Sequence, residues 1–124
     1  MIRFKRVYEP LDSNDGRRFL VERLWPRGVK KESLAMERWL KDVAPSDNLR
    51  QWFGHDPARW EEFRQRYTAE LENNPASLVA LLDAARDGTV TLLYSAHDQE
   101  HNNAVALKRF LDEQLDKQGI SPED

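Results

Sequence analysis

Apolar and polar positions along the chain predict strands and helices in mixed order. Residues 2–8 open with the alternation of Ile2 and Phe4, which is typical of a strand, and Pro10 ends it. The apolar run over residues 18–24 predicts a second, well-buried strand. The run over residues 90–94 is bounded by a glycine and a polar cluster, which predicts a central strand covered on both faces.

Local start and stop signals predict four helices, over residues 47–53, 56–72, 75–87 and about 101–117. Ser46 and Gly54 bracket the first, as an N-cap and a left-handed exit. Asp56-Pro57 and Asn74-Pro75 open the next two, because proline suits the first helical position. Residues 33–44 fit either a helical stripe or a short third strand around Trp39.

Strands mixed with helices of this length predict an α/β fold. We expect a single layered domain over residues 1–117, with a mostly parallel sheet of about three to four strands covered by helices. The segment 118–124 contains Gly119 and Pro122 and is expected to fray.

Composition narrows the class of protein. The chain has 124 residues, 40% of them hydrophobic, and a net charge of −3. This balance is not that of a disordered chain, and no apolar run is long enough to span a bilayer. The absence of cysteine excludes disulfides, thiol nucleophiles and thiolate metal sites. A cytoplasmic protein with no membrane partner is expected.

Charge is distributed unevenly along the chain. Residues 1–31 hold nine basic and four acidic residues, whereas the other 93 hold ten and 18. Arginine outnumbers lysine by 13 to six, and arginine grips phosphate and carboxylate groups in two places. The asymmetry favours an anionic partner, although most arginines are expected to pair with acids on the surface.

Polar and aromatic side chains follow each predicted strand. In parallel sheets, ligands bind beyond the carboxyl ends of the strands. This rule selects three groups of residues: Tyr8 and Glu9; Arg23, Trp25 and Arg27; and Tyr94, Ser95 and Asp98. Alternatively, Ser95 or Asp98 caps the last helix and Tyr94 is a buried ring with a satisfied hydroxyl.

The sequence offers little support for metal or cofactor chemistry. His97 and His101 stand four positions apart, but His97 precedes the predicted helix and no third ligand is evident unless the fold brings His55 close. Neither a Gly-x-Ser-x-Gly turn nor a glycine-rich phosphate loop is present. No metal site and no cofactor are predicted.

Four tryptophans lie among arginines within one 36-residue stretch, at positions 25, 39, 52 and 60. Aromatic rings interleaved with arginines are able to stack nucleic-acid bases. They also form apolar clusters crossed by arginine stems, and this second interpretation is favoured.

Several runs resemble the domain of unknown function 488 family, the YeaO-like proteins. These are Arg6-Val7-Tyr8-Glu9-Pro10, Leu20-Val21-Glu22-Arg23-Leu24-Trp25-Pro26-Arg27-Gly28, Ala44-Pro45-Ser46, Leu49-Arg50-Gln51-Trp52-Phe53-Gly54-His55-Asp56-Pro57 and Leu92-Leu93-Tyr94-Ser95-Ala96. The resemblance covers about residues 3 to 112. It implies a small bacterial or archaeal cytoplasmic protein with no settled activity. Family members usually carry lysine in place of His97, which weakens the metal interpretation further.

The strand-end residues and the polar residues of these runs define one candidate site. We expect an arginine-lined pocket for a phosphate- or carboxylate-bearing ligand, with contacts from Tyr8, Arg23, Arg27, Arg50, Tyr94, Ser95 and Asn102. If chemistry occurs there, His55 and Asp98 are the candidate general acid–base groups. Two other functions stay open: a nucleic-acid-associated module using the basic first 31 residues, and a non-catalytic interaction protein without a pocket.

Overall fold

One sheet of four parallel strands, in the order β1-β4-β2-β3, runs through the part of the chain that the structure describes. This computed structural model describes residues 1–119. The strands are β1 (Ile2–Arg6), β2 (Arg17–Leu20), β3 (Arg38–Trp39) and β4 (Val90–Tyr94). All five residues of β4 are buried, because β1 and β2 flank it and both of its faces are covered. The predicted α/β fold is confirmed.

Four α-helices follow within the described residues: α1 (Asp47–Phe53), α2 (Trp60–Glu72), α3 (Val79–Asp87) and α4 (Asn103–Lys117). The predicted bounds of α1 are confirmed, since the Ser46 hydroxyl accepts the Leu49 N–H at 3.2 Å and Gly54 takes a left-handed conformation. The helices α2 and α3 begin later than predicted. Each is preceded by a short 3₁₀ turn, Pro57–Arg59 or Pro75–Leu78, that starts at the predicted proline.

The start of α4 differs from the expectation. Its N-cap is Asn102, whose side chain accepts the Val105 N–H at 3.0 Å, and neither Ser95 nor Asp98 has this role. The carboxylate of Asp98 instead accepts backbone hydrogen bonds within the turn that precedes α4. Helix α4 ends at Lys117 as predicted, while the tail predicted to fray lies outside the described residues from position 120 onward.

Of the two interpretations left open for residues 33–44, the short strand around Trp39 is confirmed and the helix is not, since residues 38–39 form β3 and a 3₁₀ turn follows. One strand prediction needs a correction. The second strand ends at Leu20 and not at residue 24. One further ladder bond joins the Val21 N–H to the Leu93 carbonyl at 3.1 Å, and the chain then leaves the sheet.

The two faces of the sheet are covered differently. Phe19 and Leu92 share one face and pack into the large core that all four helices help to form. Leu20 and Leu93 share the other face, where loop residues such as Trp25, together with Trp39 of β3, cover them. The predicted helical covering therefore applies to one face, and the connection between β2 and β3 closes the other.

A buried carboxylate fixes the connection between β1 and β2. Asp15 is fully buried and forms ion pairs with Arg18 at 2.5 Å and Lys5 at 3.1 Å. Burial raises the pKa of Asp15, but hydrogen bonds from the Asp12 N–H, Lys5 and Arg18 outweigh this and hold the pKa below its ordinary value. The Asp15 carbonyl also accepts the Thr91 hydroxyl at 2.7 Å, so the turn is tied to the central strand.

None of the helices within residues 1–119 combines the length and the apolar character required to cross a membrane.

Candidate functional site

A cavity of about 250 Å³ lies beyond the carboxyl ends of β2 and β4. Its lining combines three arginines, one carboxylate and several apolar side chains. Of the residues selected from the sequence, it brings together Arg23, Arg27, Arg50, His55, Ser95 and Asn102. Tyr8, Tyr94 and Asp98 are not among its lining residues.

The carboxylate of the cavity is Glu22, which the sequence-based search for site residues missed. Glu22 Oε1 accepts the backbone N–H of Ser95 at 2.7 Å and the Ser95 hydroxyl at 3.0 Å. Burial raises the pKa of Glu22 above its ordinary value, and the hydrogen bonds from Ser95 offset part of that shift. The position of Glu22 two residues after a buried strand is a signal that points to it.

Ser95 is positioned by Arg6 of β1. The Arg6 guanidinium donates to the Ala96 carbonyl at 2.9 Å and to the Ser95 carbonyl at 3.3 Å. These bonds fix the backbone directly after β4. The N–H and the hydroxyl of Ser95 are thereby held where they donate to Glu22. Arg6 therefore supports the site from outside it.

Arg23 contributes to the wall of the cavity. Its guanidinium donates to the Ala44 carbonyl at 3.0 Å and to the Pro45 carbonyl at 3.3 Å. The partners are backbone carbonyls and not the acidic side chains with which most arginines were expected to pair. Arg23 thereby ties the segment after β2 to the segment before α1.

Arg27 is an exposed residue that lines the cavity, and it forms no ion pair with any residue from 1 to 119. Its backbone carbonyl accepts the Tyr8 hydroxyl at 2.8 Å. Tyr8 therefore contacts the loop that carries Arg27, although its ring lies outside the cavity. The Arg6 guanidinium stacks on that ring at 4.8 Å.

Arg50 enters the cavity from α1. Its Nε is buried without a hydrogen-bond partner among the described residues, and its terminal nitrogen meets Asp47 only at 3.4 Å. The start of α1 is fixed by Glu70 of α2, which accepts the Ser46 N–H at 2.8 Å and the Ser46 hydroxyl at 2.6 Å. The Arg50 guanidinium therefore pairs with the exposed Asp47 through a terminal nitrogen, while its Nε keeps an unused hydrogen-bond donor.

His55 follows directly after α1 in an uncommon backbone conformation. Its φ is 57°, and among residues 1–119 it is the one non-glycine residue with positive φ. The imidazole packs against Phe53, with ring centroids 6.3 Å apart, and reaches the cavity. Residues held in this way cluster at functional sites.

Asn102 and Asn103 close the cavity at the start of α4. Asn102 is buried, and besides capping the helix it donates to the Asp98 carbonyl at 2.9 Å. Asn103 donates to the Val21 carbonyl at 2.8 Å. These two bonds tie α4 to the ends of β2 and β4.

Tyr94 and Asp98 have other surroundings. Tyr94 is buried on the face of the sheet that the helices cover, and its ring packs against that of Phe4. Burial raises the pKa of the Tyr94 phenol. Asp98 accepts the backbone N–H groups of Glu100 and His101, and its other oxygen is 2.9 Å from His101 Nδ1. These hydrogen bonds hold the pKa of Asp98 below its usual range.

The histidines after β4 are not gathered with other ligands. His101 packs edge-on against Trp60, with centroids 5.3 Å apart, and bonds to Asp98. Across residues 1–119 no group of three or more histidine, aspartate or glutamate side chains has the arrangement of a metal site.

Most of the basic residues in the first part of the chain have partners within the protein. Lys5 and Arg18 pair with Asp15, and Arg17 pairs with Glu37 at 2.5 Å. Arg3, Arg6 and Arg23 donate to backbone carbonyls. The excess positive charge at 1–31 is therefore largely engaged within the fold.

The tryptophans form packing clusters. Trp25 and Trp39 meet edge to face at 5.3 Å, and Lys41 lies 4.0 Å from the Trp39 ring centroid. The guanidinium groups of Arg59 and Arg66 lie over the ring of Trp52 in α1, at 5.2 and 4.4 Å from its centroid. This arrangement matches the favoured interpretation, in which cationic side chains lie across apolar rings.

Sequence comparison with known proteins places this chain in a family. The chain is 43% identical over 110 residues to the uncharacterized protein YeaO of Escherichia coli strain K12. This alignment covers 89% of the chain and 96% of YeaO. It is 39% identical over 110 residues to the uncharacterized proteins Mb3100c of Mycobacterium bovis and Rv3073c of Mycobacterium tuberculosis. Each of these alignments covers 89% of the chain and 92% of the relative. No solved structure matches. A family model described as "Inactive DUF488-N3 subclade" matches residues 1–124, and the chain belongs to this DUF488 family.

Proposed function

We propose that the cavity binds a small anionic metabolite, one that carries a phosphate or carboxylate group. Arg27 and Arg50 hold the charge of the ligand. The observation that carries this proposal is that Arg27 and Arg50 line one cavity, and that Arg27 has no ion pair within residues 1–119. Arg50 pairs with the exposed Asp47 at 3.4 Å, and its Nε is buried without a hydrogen-bond partner among the described residues. Guanidinium groups of this kind are suited to two-pronged binding of phosphate and carboxylate.

The remaining lining residues have supporting roles in this proposal. Arg23 is committed to the Ala44 and Pro45 carbonyls and forms a wall, with its charge adding to the positive potential. Ser95 and Asn102 provide polar contacts near the ends of the strands. Tyr8 acts indirectly, through its hydrogen bond to the Arg27 carbonyl.

Binding without turnover is the form of the activity that we favour. The description of the matching family model names an inactive subclade, which supports this form. Of the two acid–base candidates, Asp98 is occupied by the turn before α4, whereas His55 reaches the cavity. If a reaction does occur, His55 is the better candidate for proton transfer.

Thermal unfolding in inorganic phosphate tests the proposal. For a site with a dissociation constant of about 1 mM, 10 mM phosphate stabilises the native state by about 1.4 kcal/mol, a rise in Tm of about 5 °C. Arg27→Gln and Arg50→Gln should lose at least half of that rise. Arg109→Gln changes an exposed arginine on α4 that does not line the cavity, so this control should keep the full rise in Tm. No response of the wild-type protein, or an equal loss in all three variants, would contradict the proposal.

The same proteins separate the nucleic-acid alternative. Binding of a single-stranded oligonucleotide that weakens steeply between 50 and 200 mM salt, and that Arg50→Gln leaves unchanged, would favour a nucleic-acid module. Binding of one phosphate group depends weakly on salt over this range. Absence of both kinds of binding would favour the interaction protein without a pocket.

A further inference from the structure

The cavity contains a carboxylate beside its arginines, so a ligand that fits it needs hydrogen-bond donors as well as an anionic group. Glu22 lines the same cavity as Arg27 and Arg50, yet none of the three lies within ion-pair distance of another in the described chain. Both hydrogen bonds to its carboxylate, from the Ser95 N–H and hydroxyl, end on Oε1. Oε2 receives no hydrogen bond from residues 1–119 and is not among the fully buried unpaired atoms, so its capacity to accept a hydrogen bond is unused.

We infer that the cavity takes a phosphorylated sugar, with the phosphate on Arg27 and Arg50 and ring hydroxyls donating to Glu22 Oε2. This inference rests on the proposed anion site and names its ligand class. A bare anion would gain nothing from Glu22 and would be repelled by it. A ligand with donors at its other end turns the carboxylate into a specific contact, as acidic side chains do with ribose hydroxyls in dinucleotide sites.

Charge and shape agree with this class. The three arginines and one glutamate of the lining together carry a net charge of plus two. A phosphate monoester carries about −1.5 to −2 at neutral pH, which is a closer match than a single carboxylate. Phe53 and Phe63, stacked with centroids 4.3 Å apart, and Trp25 offer apolar surface to the carbon face of a ring.

Size limits the ligand further. The cavity volume of about 250 Å³ is below the range of roughly 300–1,000 Å³ that is usual for drug-sized molecules. A free pentose or hexose phosphate suits this volume, as does the ribose phosphate part of a mononucleotide with its base outside. A dinucleotide does not suit it.

Calorimetric titration tests the inference with three probes: inorganic phosphate, ribose 5-phosphate and AMP. The wild-type protein should bind ribose 5-phosphate more tightly than phosphate. Glu22→Gln keeps a carbonyl for Ser95 but loses the charge, so we expect a loss of about ten- to hundredfold for ribose 5-phosphate and an unchanged or higher affinity for phosphate. Glu113→Gln, an exposed change on α4, should alter neither. AMP binding as tightly as ribose 5-phosphate assigns a nucleotide, and weaker AMP binding assigns a free sugar phosphate.

The outcomes distinguish this inference from the proposal beneath it. If phosphate binds through Arg27 and Arg50 but ribose 5-phosphate is no tighter, the sugar assignment is wrong and the anion site stands. An equal loss of both probes in Glu22→Gln also overturns the assignment. If wild-type protein binds none of the probes, the anion site and the sugar assignment both fail. Should Glu22→Gln not fold, Glu22→Asp retracts the carboxylate and must weaken ribose 5-phosphate alone.

Discussion

Ser95 donates two hydrogen bonds to a single oxygen of Glu22, at 2.7 Å from its backbone nitrogen and 3.0 Å from its hydroxyl. The two residues follow neighbouring strands, β2 and β4, and meet where both strands end. The pair orients the carboxylate but does not neutralise it. Burial therefore still raises the pKa of Glu22 above the ordinary glutamate value of 4.5.

This raised pKa predicts how stability depends on pH. The native state binds a proton at Glu22 more readily than the unfolded state, so the stability linked to this group is complete below pH 4.5. That contribution is lost as the pH rises through the pKa of the folded state. Glu22→Gln does not titrate, so its free energy of unfolding relative to wild type should increase from pH 4 to pH 7. Urea denaturation at several pH values measures this difference, and Glu113→Gln should show a constant one. A decreasing difference would mean that the pKa is lowered.

Removing the buried carboxylate of Asp15 should be costly. Asp15→Asn leaves the charges of Lys5 and Arg18 without their common partner in a buried position, and we expect a loss of about 3–5 kcal/mol in the free energy of unfolding. Asp83→Asn removes an exposed ion pair with Arg86 and should cost less than about 1 kcal/mol. Because the pKa of Asp15 is lowered in the folded state, its contribution is present above the ordinary pKa and is lost as the pH falls through the folded value. Similar losses in the two variants would show that Asp15 is not a structural anchor.

Two glycines with positive φ should respond differently to substitution. At Gly16, with φ of 64°, an added Cβ collides with the backbone and side chain of Thr89, which lies just before β4. At Gly28, with φ of 77°, the same Cβ meets no atom within 4 Å. Both alanine variants have the backbone strain, about 1–2 kcal/mol, and Gly16→Ala should lose clearly more because Thr89 must move. Thermal unfolding of the two variants compares them directly, and equal destabilisation would mean that Thr89 yields freely.

Arg23 and Arg27 stand four positions apart, and we expect opposite effects from them. Arg23→Gln loses hydrogen bonds from a charged donor to the Ala44 and Pro45 carbonyls, at a cost of about 1.5–3 kcal/mol. Arg27→Gln should change the free energy of unfolding by less than about 0.5 kcal/mol, since its side chain is exposed. In phosphate, however, Arg27→Gln should lose the stabilisation that Arg23→Gln retains in part. Urea denaturation with and without phosphate gives both quantities. If Arg27→Gln is the less stable of the two and still responds to phosphate, Arg27 is a structural residue.

Some site residues were accessible to sequence reasoning and others were not. The strand-end rule led to the edge of the sheet at which the cavity lies, because parallel strands bring their carboxyl ends together. It could not separate Tyr94 from Ser95, since successive side chains of a strand point to opposite faces and the direction depends on what packs against each face. It also passed over Glu22, because this residue lay within the run 18–24 that was predicted to be strand, whereas the strand ends at Leu20.

The sequence by itself determined the elements whose signals are local. Ser46, Gly54 and the two prolines at positions 57 and 75 mark helix starts and stops through bonds and backbone preferences within a few residues. The apolar run of β4 likewise predicted its own burial. Tertiary structure alone decided that Asp98 bonds within its own turn while Glu22 lines the cavity together with Arg50. It also decided that a loop and not a helix covers Leu93. These outcomes depend on contacts between residues that are far apart in the chain, and such contacts are set by how the layers pack and not by any local pattern.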